Sequence, residues 1–252
     1  MRRILSYLLV LLLTVSAIGV QSFTMWTHAQ GLDSLKRQTL SLKLEEYFMA
    51  LRNEPLPVQE QECDFLIESS SDSLVRQFVA ETIFNHFADS KVMGAENVAV
   101  HVFDKWFLSG LVKMQDNNDF VTAKVFADFN RESLLGRNAP PFAMEDISGG
   151  MVELFDEADK GGAFRILYFY DTSCAKCRME TILLRNLLSV KGYPVEFYAI
   201  YAGDDRQAWM TYASEAFNLA SAAVKVEHLW DPELKSDFQR LYGVVQTPRM
   251  FL

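Results

Sequence analysis

Two cysteines, Cys174 and Cys177, stand three positions apart in the run YDTSCAKCRME. The chain has 252 residues and one other cysteine, Cys63. A pair at this spacing can ligate a metal, staple a loop or exchange electrons. A structural zinc site needs four ligands, usually two such pairs or a pair with histidines. There is no second pair here, and His228 is the only histidine in this half of the chain. A copper-handling site that joins cysteines to a histidine usually spaces the cysteines further apart. Disulfide exchange asks for a strand end that fixes the turn, a helix start that tunes the first sulfur, and a second sulfur one turn later. RILYFY, 165–170, reads as a continuous apolar strand, and METILLRNLLSV reads as a helix. Cys174 then falls at the helix N-terminus, where unpaired backbone N–H groups favour an anion and so supply thiolate. Cys177 lies one turn on and can close a small disulfide or resolve a mixed one. Lys176 and Arg178 add positive charge, with Lys176 placed to depress the pKa of Cys174.

A second motif lies downstream in VVQTPRMFL, where Thr247 and Pro248 precede a strand. An X–Pro bond at such a place reads as a cis peptide set beside the sulfur pair. The Thr247 backbone would be available to an incoming substrate strand.

The elements that must position these groups follow from two different periods. Between them, LLGRNAPPFAMEDISGG reads as a linker and an extended lead-in. After it, strand RILYFY is followed by strand VEFYAIYA (195–202), helix DDRQAWMTYASEAFNLA and a short extra strand in VEHLWD. PELKSDFQRLYGV reads as a third helix, with Pro232 at its start and Gly243 at its end, and RMFL opens a last strand. Strands and helices alternating at this spacing predict a parallel sheet with crossover helices. Residues 32–135 read instead as four or five amphipathic helices, a small bundle. The first places Leu35, Leu42, Leu44, Phe48 and Leu51 in one stripe; a later one takes Asp72 as N-cap and turns Leu74, Phe78, Ile83 and Phe87 inward. Cys63 reads as a buried structural thiol, His86 and His101 as ordinary histidines on separate helices, and Phe103, Trp106 and Phe107 as core.

Half of the residues are hydrophobic, enough for one large or two ordinary domains. The formal net charge of −9 argues against a nucleic-acid partner, since phosphate binding wants a basic footprint. Arg2 and Arg3 precede an uncharged apolar run from Ile4 to Val20. This reads as an export signal over residues 1–29, either cleaved or kept as a membrane tether through 4–20. The remainder is expected in the periplasm or cell envelope, anchored to the inner membrane if the run is retained, where disulfides persist.

Residues 136–252 resemble a thioredoxin-fold domain of the TlpA/ResA-like class, exported and often membrane-tethered thiol–disulfide oxidoreductases. GRNAPPFAMEDISGGMVELFD is similar to that class's N-terminal hairpin, and CAKCRME to its CxxC followed three residues later by Glu. The resemblance implies an attacking Cys174, a resolving Cys177, an active-site Glu180 and a Thr247–Pro248 cis-proline loop. It implies protein disulfides as substrates, an upstream thiol electron donor, reduction as the direction, and no cofactor or metal. Residues 32–135 resemble the DUF5106-like helical domain that precedes such modules in Bacteroidota. The sequence departs from the class by Lys176 where many members carry Pro before the second cysteine. It departs from thioredoxins by Ser173 in place of tryptophan and by Tyr168 in place of the buried acid of the first strand. With that acid gone, Glu180 becomes the candidate for proton handling.

A complete thioredoxin fold would continue past RMFL with one more strand and a final helix, so the module is expected to be C-terminally truncated, incomplete after Leu252. Two other readings remain. One is a non-enzymatic exported scaffold whose helical half binds a partner. The other is a peroxidase of the peroxiredoxin kind, against which Asp171 stands where those enzymes carry Thr.

Overall fold

The computed structural model describes residues 32–155, 164–190, 194–216 and 223–252. The expected signal or tether lies outside the described residues. The chain divides into two compact units, one ending at Leu135 and one beginning at Gly136.

Among the described residues the first unit is helical: α1 (Ser34–Leu51), α2 (Leu56–Ser69), α3 (Ser73–Asp89), α4 (Ala95–Val102) and α5 (Asn117–Asn130). In α1 the core takes Leu40, Leu44, Tyr47, Phe48 and Leu51, a run of steps of three and four that keeps one face. Leu35 and Leu42, expected inward, are exposed. Leu42 sits two residues from both Leu40 and Leu44, about 200° around the helix, so it cannot share their face. In α3 the buried line is Val75, Val79, Ile83 and Phe87, joined by Ala80 and Phe84; Phe78 is half-buried, and Leu74, also expected inward, is exposed. The Asp72 carboxylate caps α3 by accepting from the N–H groups of Leu74 and Val75 at 2.9 and 3.0 Å.

Gly94 enters α4 at φ +87°, and a Cβ there would lie 3.1 Å from methyls of Leu56 and Leu135, so both backbone and space call for glycine. α4 runs on into a wider π-type turn, Phe103–Leu108, that buries Phe103, Trp106 and Phe107 together. Cys63 is fully buried in this core. Beside it the Asp64 carboxylate accepts from Trp106 Nε1 at 2.7 Å, Lys105 Nζ at 2.9 Å and His101 Nε2 at 2.9 Å. His86 instead stacks on Phe48, with ring centroids 4.0 Å apart.

The second unit is a six-stranded sheet in the order β2-β1-β5-β4-β3-β6. Its strands are β1 (Phe142–Asp146), β2 (Met151–Leu154), β3 (Phe164–Tyr170), β4 (Val195–Tyr201), β5 (Val224–Trp230) and β6 (Arg249–Phe251). β3, β4 and β5 are parallel, β1–β2 is an antiparallel hairpin attached to β5, and β6 runs antiparallel to β3. Alternation sorts the side chains of the central strands onto two faces. Tyr168, Tyr170, Phe197, Ala199 and Tyr201 pack with Leu184 and Leu188 of α6 (Ala175–Val190) and with Trp209 and Ala216 of α7 (Arg206–Ala216). Leu167, Phe169, Tyr198, Ile200 and Leu229 pack with Phe142, Met144 and Leu154 of the hairpin and with Phe238 and Tyr242.

Two expectations change here. The stretch VEHLWD belongs to a full seven-residue strand in the interior of the sheet. The third helix shrinks to α8, Phe238–Leu241. The cause is Asp231, whose side chain accepts from the N–H groups of Lys235 and Ser236 at 3.0 and 2.7 Å. Those amides are thereby withheld from a helical ladder. Leu234 and Asp237 take positive φ, which breaks any helix across 232–237.

Candidate active site at the head of α6

β3 delivers the chain to the site through Tyr170, whose carbonyl accepts from Ala202 N–H at 2.8 Å. Asp171 then folds the turn: its Oδ1 accepts from the N–H and hydroxyl of Ser173 at 2.7 and 2.6 Å. This Asx arrangement turns the backbone directly into α6, and the Cys174 carbonyl accepts from Arg178 N–H at 3.2 Å. Cys174 is thus the N-cap. Its sulfur does what a cap oxygen does, accepting the N–H of the third helical residue, Cys177, at 3.1 Å.

Both cysteines are thiols in this structure. Cys174 is partly exposed and Cys177 fully buried. Burial opposes ionisation of Cys174, but hydrogen bonds from the Cys177 side chain and backbone, from Thr247 and from the Lys176 backbone N–H outweigh it and hold this thiol below its ordinary value. Burial and the neighbouring Cys174 push Cys177 the other way, upward. The pair is therefore split into an accessible thiol that ionises easily and a covered one that does not, the division of labour that disulfide exchange requires.

Thr247 and Pro248, joined by a cis peptide bond, sit immediately before β6. β6 pairs with β3 through Phe169–Arg249, Tyr168–Met250 and Leu167–Phe251. That register brings the Thr247 carbonyl to 3.6 Å from Cys174 Sγ across 73 positions of sequence. Lys176 reaches the site through its backbone N–H, while its side chain is exposed. Glu180 lies one turn beyond Cys177, half-buried, and its charge reaches the Tyr168 phenol.

Three contributors escape sequence reasoning. Asp171 builds the turn. Thr181 is buried one turn after Cys177, and Tyr212 of α7 feels both cysteines. Thr181 could have been found from its i+4 spacing to Cys177; Tyr212 carries no local signal, because α7 reaches the site only through the fold. Among the described residues no group of three His, Cys, Asp or Glu side chains could hold a metal, and no helix is long and apolar enough to cross a membrane.

No protein-family model and no curated protein matches this chain. Solved structures do. A thioredoxin-like protein from Bacteroides caccae superposes with a TM-score of 0.63 at 13% identity, over 92% of this chain and 90% of that one. The thioredoxin domain of a thiol-disulfide oxidoreductase from Bacteroides vulgatus matches 46% of this chain and 77% of its own at 20% identity, with a TM-score of 0.36. A thiol-disulfide oxidoreductase from Bacteroides fragilis matches 45% of this chain and 80% of its own at 19% identity, with a TM-score of 0.36. The fold is thioredoxin-like, with a helical region preceding the α/β region.

Proposed function

We propose that the chain is an exported thiol–disulfide oxidoreductase that reduces protein disulfides through Cys174 and Cys177. The observation that carries this reading is the 3.1 Å approach of the Cys177 N–H to Cys174 Sγ, on a partly exposed sulfur that also faces the Thr247 carbonyl. The Cys174 thiolate attacks one sulfur of a substrate disulfide. A new S–S bond joins Cys174 to the substrate, and the other substrate sulfur leaves as a thiolate and takes up a proton. The backbone at Thr247, beside the new bond, accepts the extended substrate segment. Cys177 then loses its proton and attacks Cys174 Sγ, closing the internal disulfide and releasing the second substrate thiol. Two electrons have passed to the substrate, and an upstream dithiol donor restores the pair. No cofactor enters, since sulfur carries the electrons throughout.

Export is supported by Arg2, Arg3 and the uncharged Ile4–Val20 run, which either directs cleavage or tethers the chain to the inner membrane. Glu180, half-buried on α6, lies one turn beyond Cys177 and belongs to the proposed site. The test is reduction of a model protein disulfide by the full chain, with dithiothreitol as terminal donor. The wild type turns over, Cys174→Ser abolishes turnover, and Cys177→Ser accumulates a mixed disulfide with the substrate. Equal rates with and without the chain would overturn the reading.

A further inference from the structure

The sulfur of Cys174 depends on one short contact, the Cys177 N–H at 3.1 Å. That contact lasts only while the turn through Thr172 and Ser173 keeps its place on the first turn of α6. Asp171 holds the turn from the upstream side, through the N–H and hydroxyl of Ser173. Arg178 holds it from the helix side, with two different donors. Its backbone N–H donates to the Cys174 carbonyl at 3.2 Å, and its Nη1 donates to the Thr172 carbonyl at 2.9 Å.

Thr172 is in turn fixed from the sheet. Its hydroxyl lies 3.5 Å from that of Tyr201, a buried ring at the end of β4 whose oxygen also accepts from the Asp205 N–H at 3.3 Å. Gly203 leaves room for this hydroxyl, since a Cβ there would come within 2.4 Å of it. The guanidinium therefore ties α6 to a point already anchored, and a charged donor makes a stronger tie than a neutral one. The neighbouring cation does not share the role: the Lys176 side chain is exposed, and this residue reaches the sulfur through its backbone N–H. The titratable and charged groups around Cys174 are Cys177, Lys176 and Arg178 of α6, Asp171 of the turn and Tyr212 of α7; before β6 the site is faced by the neutral Thr247 carbonyl.

We propose that Arg178 is a positioning residue whose side chain clasps the Thr172 carbonyl and so keeps Cys174 Sγ on the Cys177 N–H. The inference rests on the oxidoreductase reading above and adds to it a residue that touches neither sulfur nor substrate. Without the clasp, Asp171 still forms its turn, but the turn can lift from α6. The Cys177 N–H then loses its hold on the sulfur, and the thiolate of Cys174 loses a donor that stabilises it. The clasp acts through position. A guanidinium at the surface acting only by its charge would be screened by salt, whereas a turn held in place would not.

The test uses the full chain, reduced, with one equivalent of 5,5′-dithiobis(2-nitrobenzoate) over a pH series. The Cys174 thiolate attacks the reagent disulfide, forming a mixed disulfide and releasing one thionitrobenzoate; Cys177 then displaces the second and closes the internal disulfide. The inflection of the first release reports Cys174. Arg178→Ala should raise that inflection by about half a pH unit, and the shift should persist in 1 M KCl, where the screening length is only about 3 Å. Below both inflections the variant should react about 2-fold more slowly, the smaller thiolate fraction being partly offset by a more nucleophilic sulfur. Above both it should react no more slowly than wild type. Arg178→Met, which keeps an apolar stem and removes the donors, should match Arg178→Ala. An unmoved inflection in both variants, a shift that vanishes in 1 M KCl, or a rate reduced equally at every pH would overturn the clasp and leave the oxidoreductase reading standing. A wild type that never releases the second thionitrobenzoate would instead sink the oxidoreductase reading, and the first release would still decide the clasp.

Discussion

The backbone N–H of Cys177 points at the sulfur of Cys174 across 3.1 Å, so the second cysteine stabilises the thiolate of the first before any substrate arrives. That contact makes the pair asymmetric, and the asymmetry can be measured. Alkylation of the reduced, folded chain over a pH series, resolved by mass, should tag Cys174 with an inflection below the usual ~8.5 of a free thiol. Cys177 should inflect above it. Cys63, with no exposed surface and a thiol pushed up chiefly by burial, should stay untagged until the helical unit unfolds. Equal reactivity of Cys174 and Cys177 would contradict the N-cap geometry.

Asp64 anchors the helical unit. Burial raises its pKa, but the hydrogen bonds from Lys105, Trp106 and His101 more than offset that and hold the carboxylate below its ordinary range. A carboxyl depressed on folding stabilises the folded state above its unfolded value of ~3.9, and that contribution is lost as pH falls through the lower folded value. Asp64→Asn keeps the shape and removes the charge, and should cost about 2 kcal/mol at pH 7 in urea unfolding. The difference from wild type should shrink as pH falls below that unfolded value. A variant as stable as wild type at neutral pH would show that the three donors do not depend on the charge.

His228 acts in the opposite sense. Burial lowers its pKa to about 4, against ~6.5 in an unfolded chain. Between those values the unfolded state binds the extra proton, so stability should fall as pH drops from 6.5 and level off below 4. The loss should be on the order of 2–3 kcal/mol in the second unit, and His228→Gln should flatten that part of the stability profile. An NMR titration placing the His228 inflection near 6.5 would contradict this.

Gly94→Ala should destabilise the helical unit by about 1–2 kcal/mol. The backbone sits at φ +87° and the new methyl would crowd Leu56 and Leu135. Gly110→Ala, at φ +81° with open space around it, should cost less, because it carries only the backbone part of the penalty. Equal losses would mean that the steric contribution at Gly94 is relieved by side-chain movement.

The strand–turn–helix unit around the cysteines is legible in the sequence because its signals are local: an apolar run, a turn, then a helical period. The Thr247–Pro248 approach to Cys174 is anticipated from a proline before a strand, but its geometry is not local, since the contact spans 73 positions and depends on the β3–β6 register. β5 reads as a minor strand because Lys225 and Glu227 interrupt its apolar pattern. These residues stay polar because β1 pairs with only the Leu229–Trp230 end. The helix expected over 232–243 fails for a non-local reason, the Asp231 carboxylate taking amides a helix would use. In the first unit the helices are legible, but their inward faces are shifted wherever leucine alone is read as a marker of burial, as Leu35, Leu42 and Leu74 show. Tyr168 is visible as a departure from the thioredoxin pattern, yet its contacts with the Cys177 carbonyl and the Thr181 hydroxyl exist only in the folded sheet.

The most direct test of the central claim is a redox titration of the full chain in glutathione buffers of graded potential, with thiols trapped by alkylation and tags counted by mass. Exchange through the Cys174–Cys177 pair predicts one reversible two-electron transition at those two residues, with Cys63 unchanged, and a midpoint that sets the direction of electron flow. Independent oxidation of the two thiols, or no transition across the range, would contradict it.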